Sequence, residues 1–216
     1  MEVIVRQAVM NVIKPKIVFV LGCPGSGKGT LCGTLARKFN YRHLSAGELL
    51  RKEKVKVGSK YATTIDEHFR KGLMVPAEIT ATLLIRAIEK DPPAELFLID
   101  GYPVTKDNFD YWNKVVASRV DLVGVLYLTA GEEVCRERIL QRGASGSGRE
   151  DDNEEVIRRR FRTYETESMP LITIYQKQGF VKEVDSRKPL EALLKDVEEI
   201  LQELLNTRST ILEKEM

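Results

Sequence analysis

Apolar residues fall along this chain in two rhythms. Strand-like runs, mostly apolar, at Ile17–Leu21, Leu96–Asp100, Leu122–Leu128 and Phe180–Val184 read as strands of a sheet covered on both faces, and a shorter run at Tyr41–Leu44 reads as a fifth. Between them the apolar positions recur every three to four residues. Leu31, Leu35 and Phe39 put one stripe on a helix predicted from Lys28 to Lys38. Leu190, Leu193, Leu194, Val197, Ile200, Leu201 and Leu204 do the same for a final helix from Leu190 to Leu205, with residues 207–216 expected to fray. Strands alternating with helices predict an α/β protein whose five-stranded parallel sheet is covered by helices on both sides, giving three layers. Ligands of such sheets sit beyond the carboxyl ends of the strands.

The 216 residues suffice for one domain with a full core, and 43% hydrophobic with 31% charged residues describes a globular chain. A net charge of only +2 gives no basic field for nucleic acid. No apolar stretch approaches the ~20 residues of a membrane span, and the N-terminal residues 1–15 make a poor signal peptide and read as an extension. Cys23, Cys32 and Cys135 are odd in number and lack metal spacing. They do not read as a disulfide framework, which suits a reducing compartment, cytoplasmic or nuclear. Nothing calls for more than a monomer.

The chemistry concentrates after the first strand, in Lys16–Thr30, KIVFVLGCPGSGKGT. Gly22, Gly27 and Lys28 fit the G-x-x-x-x-G-K spacing of a phosphate-binding loop. Glycines let backbone N–H groups converge without Cβ obstruction, and the new helix turns its unpaired N–H groups toward an anion. Pro24, Gly25, Ser26, Gly27, Lys28, Gly29 and Thr30 are therefore the candidate triphosphate cradle. Gly29 stands where a Ser or Thr usually follows the lysine, so a direct hydroxyl ligand for Mg²⁺ is not expected.

In this form the loop resembles that of the nucleoside monophosphate kinases, the adenylate kinase group, and the resemblance runs from about Lys16 to Leu205. It implies a P-loop fold with a helical segment for the acceptor nucleotide at residues 45–75 and a short lid at 142–153, within a domain over 16–206. Ser45 and Glu48 form a capping box in HLSAGELLR. There the resemblance gives Ser45, Ala46 and Arg51 to the acceptor, with the arginine on its phosphate. Leu73, Met74 and Val75 resemble the end of that segment, where the acceptor base is received.

The run FLIDGYPVTKDN ends a buried strand on Asp100, a Walker-B-like carboxylate that would hold Mg²⁺ through water. The resemblance assigns Gly101, Tyr102 and Asn108 to the acceptor. Family members carry an arginine where this chain has Val104, and Lys106 cannot reproduce its bidentate fork. The expectation is a weakened site, one rescued by another cation, or a nucleotide-binding sensor with little activity.

Thr129 and Glu132 suggest a capping box for a helix carrying Arg138 and Arg142 on one face, and Gly143–Gly148 a flexible flap. Arg149 follows the flap, and Arg160 lies on the next helix, capped by Asp152 or Asn153. The R-x-x-x-R-G, G-R-x-D-D-N and R-F elements resemble a short lid, one residue longer than usual and without cysteines for zinc. The resemblance places Arg138 on the ATP base, Arg142 on ATP phosphates, Arg149 and Arg160 on the transferring group, and the backbone near Lys188 at the adenine. Arg136, Arg158, Arg159 and Arg162 read as a solvated surface paired with glutamates.

Ala46 with Asn108, together with Glu78-Ile79-Thr80 and Trp112-Asn113-Lys114, resembles the UMP/CMP kinase branch. Transfer of the γ-phosphoryl group from ATP, with Mg²⁺, to CMP, UMP or dCMP is the activity this implies. Adenylate kinase activity on AMP is the alternative, and Asn108 as a simple helix cap is the bland reading of that residue.

Overall fold

Strand β1 (Lys16–Gly22) is the middle of a five-stranded, all-parallel sheet ordered β2-β3-β1-β4-β5. The others are β2 (Tyr41–Ser45), β3 (Leu96–Asp100), β4 (Asp121–Thr129) and β5 (Val181–Asp185). The computed structural model describes residues 14–90, 94, 96–146 and 154–215, with side chains as far as 207.

Side chains of β1 alternate between two cores, as the pleat requires. Ile17, Phe19 and Leu21 point to one side, where α4 (Ala77–Lys90), α5 (Lys106–Val115) and α8 (Met169–Lys177) supply Leu84, Trp112 and Tyr175. Val18 and Val20 point to the other, against Leu31 and Leu35 of α1 (Lys28–Lys38) and Leu193, Val197 and Leu201 of α9 (Leu190–Glu215). The apolar runs of β1, β3 and β4 therefore become strands because both faces are covered, whereas the edge strands β2 and β5 are only partly buried.

Residues 46–71 form two short helices, α2 (Ala46–Lys54) and α3 (Ala62–Lys71), with a small core of their own around Leu50, Ile65, Val75 and Ile79. Beyond β4 come α6 (Glu132–Ala144) and α7 (Glu154–Thr163), packed through Cys135, Ile139, Ile157 and Phe161. A π-helical turn, Tyr164–Ser168, joins α7 to α8.

Several expectations are corrected. The last helix, α9, runs Leu190–Glu215, so the tail continues the helix rather than fraying by residue 207, and Leu190 is exposed. Thr129 does not cap α6. It ends β4, where its hydroxyl donates to Val184 O at 3.2 Å, and Gly131 is the N-cap. Helix α6 takes in Gly143 and Ala144, which shortens the flap. Cys23 and Cys135, 112 residues apart, are brought side by side because the fold lays α6 over the phosphate loop, whereas Cys32 is free and buried. The N-terminal extension up to residue 13, the flap residues 147–148, Arg149, Asp152 and Asn153 lie outside the described residues.

Candidate active site

At the carboxyl ends of β1 and its neighbour β3 the chain leaves to opposite faces of the sheet, into α1 on one and α5 on the other, which opens a crevice there. The loop after β1 fills its floor. Gly25 (φ 87°) and Gly27 (φ 89°) take left-handed backbone, and a Cβ on Gly25 would collide with the carbonyl of Cys135. Gly25 is therefore required by shape alone, and Gly27 by shape as well as by the phosphate spacing. Gly27 is the N-cap of α1, so the first N–H groups of that helix face the crevice.

Lys28 folds back over this loop. Its Nζ donates to Gly22 O at 2.9 Å, Cys23 O at 2.8 Å and Ser26 Oγ at 3.3 Å. Withdrawal from water pushes its pKa down from 10.5 to about 8; Asp100 opposes that shift, while Arg160 and Arg142 add to it. The ammonium is thus held by carbonyls that a phosphate can replace. Asp100 ends β3 beside it, its Oδ2 3.4 Å from His43 Nε2 and 3.5 Å from where a Cβ on Gly29 would lie. Thr30 is exposed at the start of α1.

The crevice measures about 940 Å³. It brings together residues from distant parts of the chain. The loop residues Pro24, Gly25, Ser26, Gly27, Lys28, Gly29 and Thr30 form one wall. Ser45, Ala46, Arg51, Leu73, Met74 and Val75 come from the α2–α3 segment, and Asp100, Gly101, Tyr102 and Asn108 from the end of β3 and the start of α5. Arg138, Arg142, Arg160 and Lys188 close the other side. Every predicted site residue within the described part of the chain lies on this one crevice.

The local causes can be read individually. Ser45 caps α2, accepting from Glu48 N at 3.4 Å, and Glu48 Oε1 accepts from Arg51 Nη1 at 3.2 Å, with the guanidinium 5.9 Å from the Phe69 ring. Arg138 Nη2 donates to Ser186 O at 2.9 Å, tying α6 to the loop after β5. Thr105 caps α5, accepting from Asn108 N at 3.2 Å, so Asn108 is not the cap. Its Oδ1 instead accepts from Val104 N at 3.2 Å. Tyr102 is sealed beneath, its hydroxyl donating to Asn108 O at 2.9 Å. Val104 lines the crevice, while Lys106 pairs with Asp110 on the exposed face of α5 and does not take the missing arginine's place.

Sequence reading gave no role to His43, Val156, Thr163, Tyr164 or Ser168, all of which line the crevice, as does Thr80, which it noted only within Glu78-Ile79-Thr80. The parallel register Ser45↔Asp100 places His43 near the acid, which pairing of β2 with β3 could have signalled. Ser168 Oγ donates to Val104 O at 2.7 Å, so the π-helical turn fixes the Val104 backbone. Arg136 and Arg158 are exposed partners of Glu154, as expected; Arg159 also donates to Lys71 O on α3, which was not.

Comparison with known proteins agrees with this geometry. The adenylate kinase family profile matches residues 20–180. The human protein named UMP-CMP kinase is 42% identical over 192 residues, 87% of this chain and 97% of its own. The UMP-CMP kinase of Danio rerio is 41% identical over 194 residues, covering 88% and 98%. UMP-CMP kinase 2 of Caenorhabditis elegans is 43% identical over 184 residues, covering 85% and 95%. A likeness of that reach, over the stretch that builds the phosphate loop and the crevice, establishes that the chain belongs to the adenylate kinase family.

Proposed function

We propose that the protein transfers the γ-phosphoryl group of ATP to a pyrimidine nucleoside monophosphate, CMP or UMP and also dCMP, giving ADP and the nucleoside diphosphate. The observation that carries this reading is the convergence on one crevice of Lys28, Arg51, Arg142 and Arg160, drawn from four separate segments. Relatives named UMP-CMP kinase at 41 to 43% identity support the same acceptor class.

ATP lies with its phosphates on the loop and Lys28, and its base between Arg138 and the backbone at Lys188. The acceptor lies between Arg51 and the apolar residues Leu73, Met74 and Val75, with Ser45, Ala46, Gly101, Tyr102 and Asn108 around its ribose and base. The two nucleotides meet end to end, and transfer is in line. The acceptor phosphate is already an oxyanion, so no side chain has to remove a proton. Lys28, the loop amides, Arg142, Arg149 and Arg160 stabilise the charge spread over the moving group. Residues 45–75 and the lid at 142–153 close over the pair and exclude water, which suppresses hydrolysis of ATP.

The donor set suits Mg²⁺. Among the described residues no group of three or more His, Cys, Asp or Glu side chains is placed to hold a metal, and Asp100 is the carboxylate that faces the loop. Mg²⁺ keeps several waters and takes one or two carboxylates plus substrate phosphates, so Asp100 would hold it through water. When bound it supplies charge neutralisation between the β- and γ-phosphates.

No described helix is long and apolar enough to cross a membrane. We place the protein in the cytoplasm, with access to the nucleus, as a monomer that binds neither nucleic acid nor membrane.

A second reading, a sensor with little turnover, rests on Val104, which leaves the acceptor phosphate one guanidinium short. Steady-state kinetics with ATP and each of CMP, UMP, dCMP and AMP separate the readings. The expected result is turnover of at least about 1 per second with CMP and UMP and poor use of AMP. AMP as the best acceptor, or ATP binding with no transfer, would overturn it.

A further inference from the structure

Among the described residues, Ser26, Glu53, Asp100, Thr105 and Ser186 are buried polar residues whose side chains each have a hydrogen-bonding partner. Asp121, also buried, is partnered as well. Two groups on nine-tenths buried residues differ. The Thr80 hydroxyl, on a residue 6% exposed, has no partner, and neither has the Asn108 Nδ2, on a residue 3% exposed. No described side-chain N or O atom is sealed from both solvent and partner. Both groups therefore open onto the crevice that both residues line. They stand in the first turns of α4 and α5, two neighbouring helices that contribute Leu84 and Trp112 to the same core.

Their chemistry differs in a useful way. Because Asn108 Oδ1 accepts from Val104 N, its other amide atom is fixed as an N–H donor. A donor suits the 2-oxo group, which uracil and cytosine share. A hydroxyl is both donor and acceptor and turns freely. It can donate to the 4-oxo group of uracil or accept from the 4-amino group of cytosine.

We propose that Thr80 is a specificity-determining residue whose hydroxyl meets the 4-substituent of the acceptor base, so that one site accepts both pyrimidines. This rests on the pyrimidine acceptor reading given above. With the base in place the hydroxyl is satisfied in either case; a base lacking a 4-substituent leaves it buried and unpaired, which is where discrimination arises.

The test compares wild type with Thr80→Val, which keeps the shape and removes the hydroxyl, and Thr80→Ser, which keeps the hydroxyl. Acceptors are CMP, UMP and the 5′-monophosphate of the 2-oxopyrimidine riboside, which lacks the 4-substituent, with AMP as reference. The valine variant is expected to lose about tenfold in kcat/KM for both CMP and UMP, to lose nothing for the 2-oxopyrimidine, and to keep the KM for ATP. The serine variant should recover most of the loss. A valine variant that treats all three pyrimidines alike, in a wild type that prefers pyrimidines, overturns the Thr80 assignment alone. A wild type that uses AMP better than either pyrimidine overturns the acceptor reading and the assignment with it.

Discussion

Arg159 on α7 donates through Nη1 to the backbone carbonyl of Lys71, 88 residues earlier in the chain. That carbonyl belongs to the last turn of α3, where helix carbonyls lack partners of their own. The guanidinium therefore caps α3 from a distance, while its other nitrogen holds Glu155. Gly72 follows in left-handed backbone (φ 61°), and a Cβ there would lie 3.2 Å from Arg159 Cδ. Leu73 and Met74 come next and lie on the crevice. One exposed arginine thus ties the acceptor segment to the helix that carries Arg160.

Arg159→Ala is expected to raise the KM for CMP about three- to tenfold while the KM for ATP stays nearly constant. One charge-assisted hydrogen bond, discounted for its exposed position, has that size. Arg159→Lys should recover part of the loss. Equal changes in both KM values, or none, would contradict a role in positioning the acceptor segment.

Lys28 should be replaceable by no neutral residue: Lys28→Met is expected to lower kcat about a hundredfold or more, as loss of a transition-state donor does. Its charge also links ATP binding to pH. In the free protein burial holds its pKa at about 8, below the 10.5 of an ordinary lysine. Between those values the unfolded chain keeps the proton and the folded chain has released it. The cost of burying the ammonium is therefore fully present below about pH 8 and is relieved as pH rises through that window. Triphosphate beside Lys28 restores the charge. ATP binding near pH 8 should take up about half a proton, seen as a dependence of calorimetric heat on buffer ionisation enthalpy. Lys28→Arg, which stays charged, should abolish the uptake; its persistence there would assign the proton elsewhere.

Val104→Arg adds a fork of donors on the crevice wall, where the valine backbone is already held by Asn108 and Ser168. An increase of about tenfold in kcat/KM for CMP is expected, since a bidentate guanidinium–phosphate contact exceeds what a single ammonium supplies. Steady-state kinetics with CMP as the varied substrate give the answer. An unchanged value would mean that the other arginines already saturate the acceptor phosphate.

The sheet was legible in the sequence because its strands are covered on both sides: Ile17–Leu21 and Leu96–Asp100 carry a continuous apolar signal with no competing pattern. The phosphate loop was legible because glycine, lysine and the helix start answer one physical demand. What escaped depends on partners distant in sequence. Arg159 has the composition of any solvated arginine, and only the fold brings Lys71 O to it. Cys23 and Cys135 meet because α6 packs on the loop, which no spacing encodes. Thr129 matches a capping pattern, yet pairing with β5 claims it first. Thr80 was marked in the sequence only as part of Glu78-Ile79-Thr80, and its place on the crevice, between buried Ile79 and Ala81, comes from the packing of α4. The tail of α9 was underestimated because the apolar stripe thins after Leu205 while the backbone remains helical to Glu215.

The central claim is that cations from separate segments converge on the phosphates of two nucleotides held end to end. The most direct test is a crystal structure with a bisubstrate dinucleotide joining adenosine to uridine through a polyphosphate bridge. The account predicts Arg51, Arg142, Arg149 and Arg160 all in hydrogen-bonding contact with that bridge, with Lys28 beside the phosphates on the loop. A bound dinucleotide whose bridge touches Lys28 but leaves these four arginines turned away would contradict it.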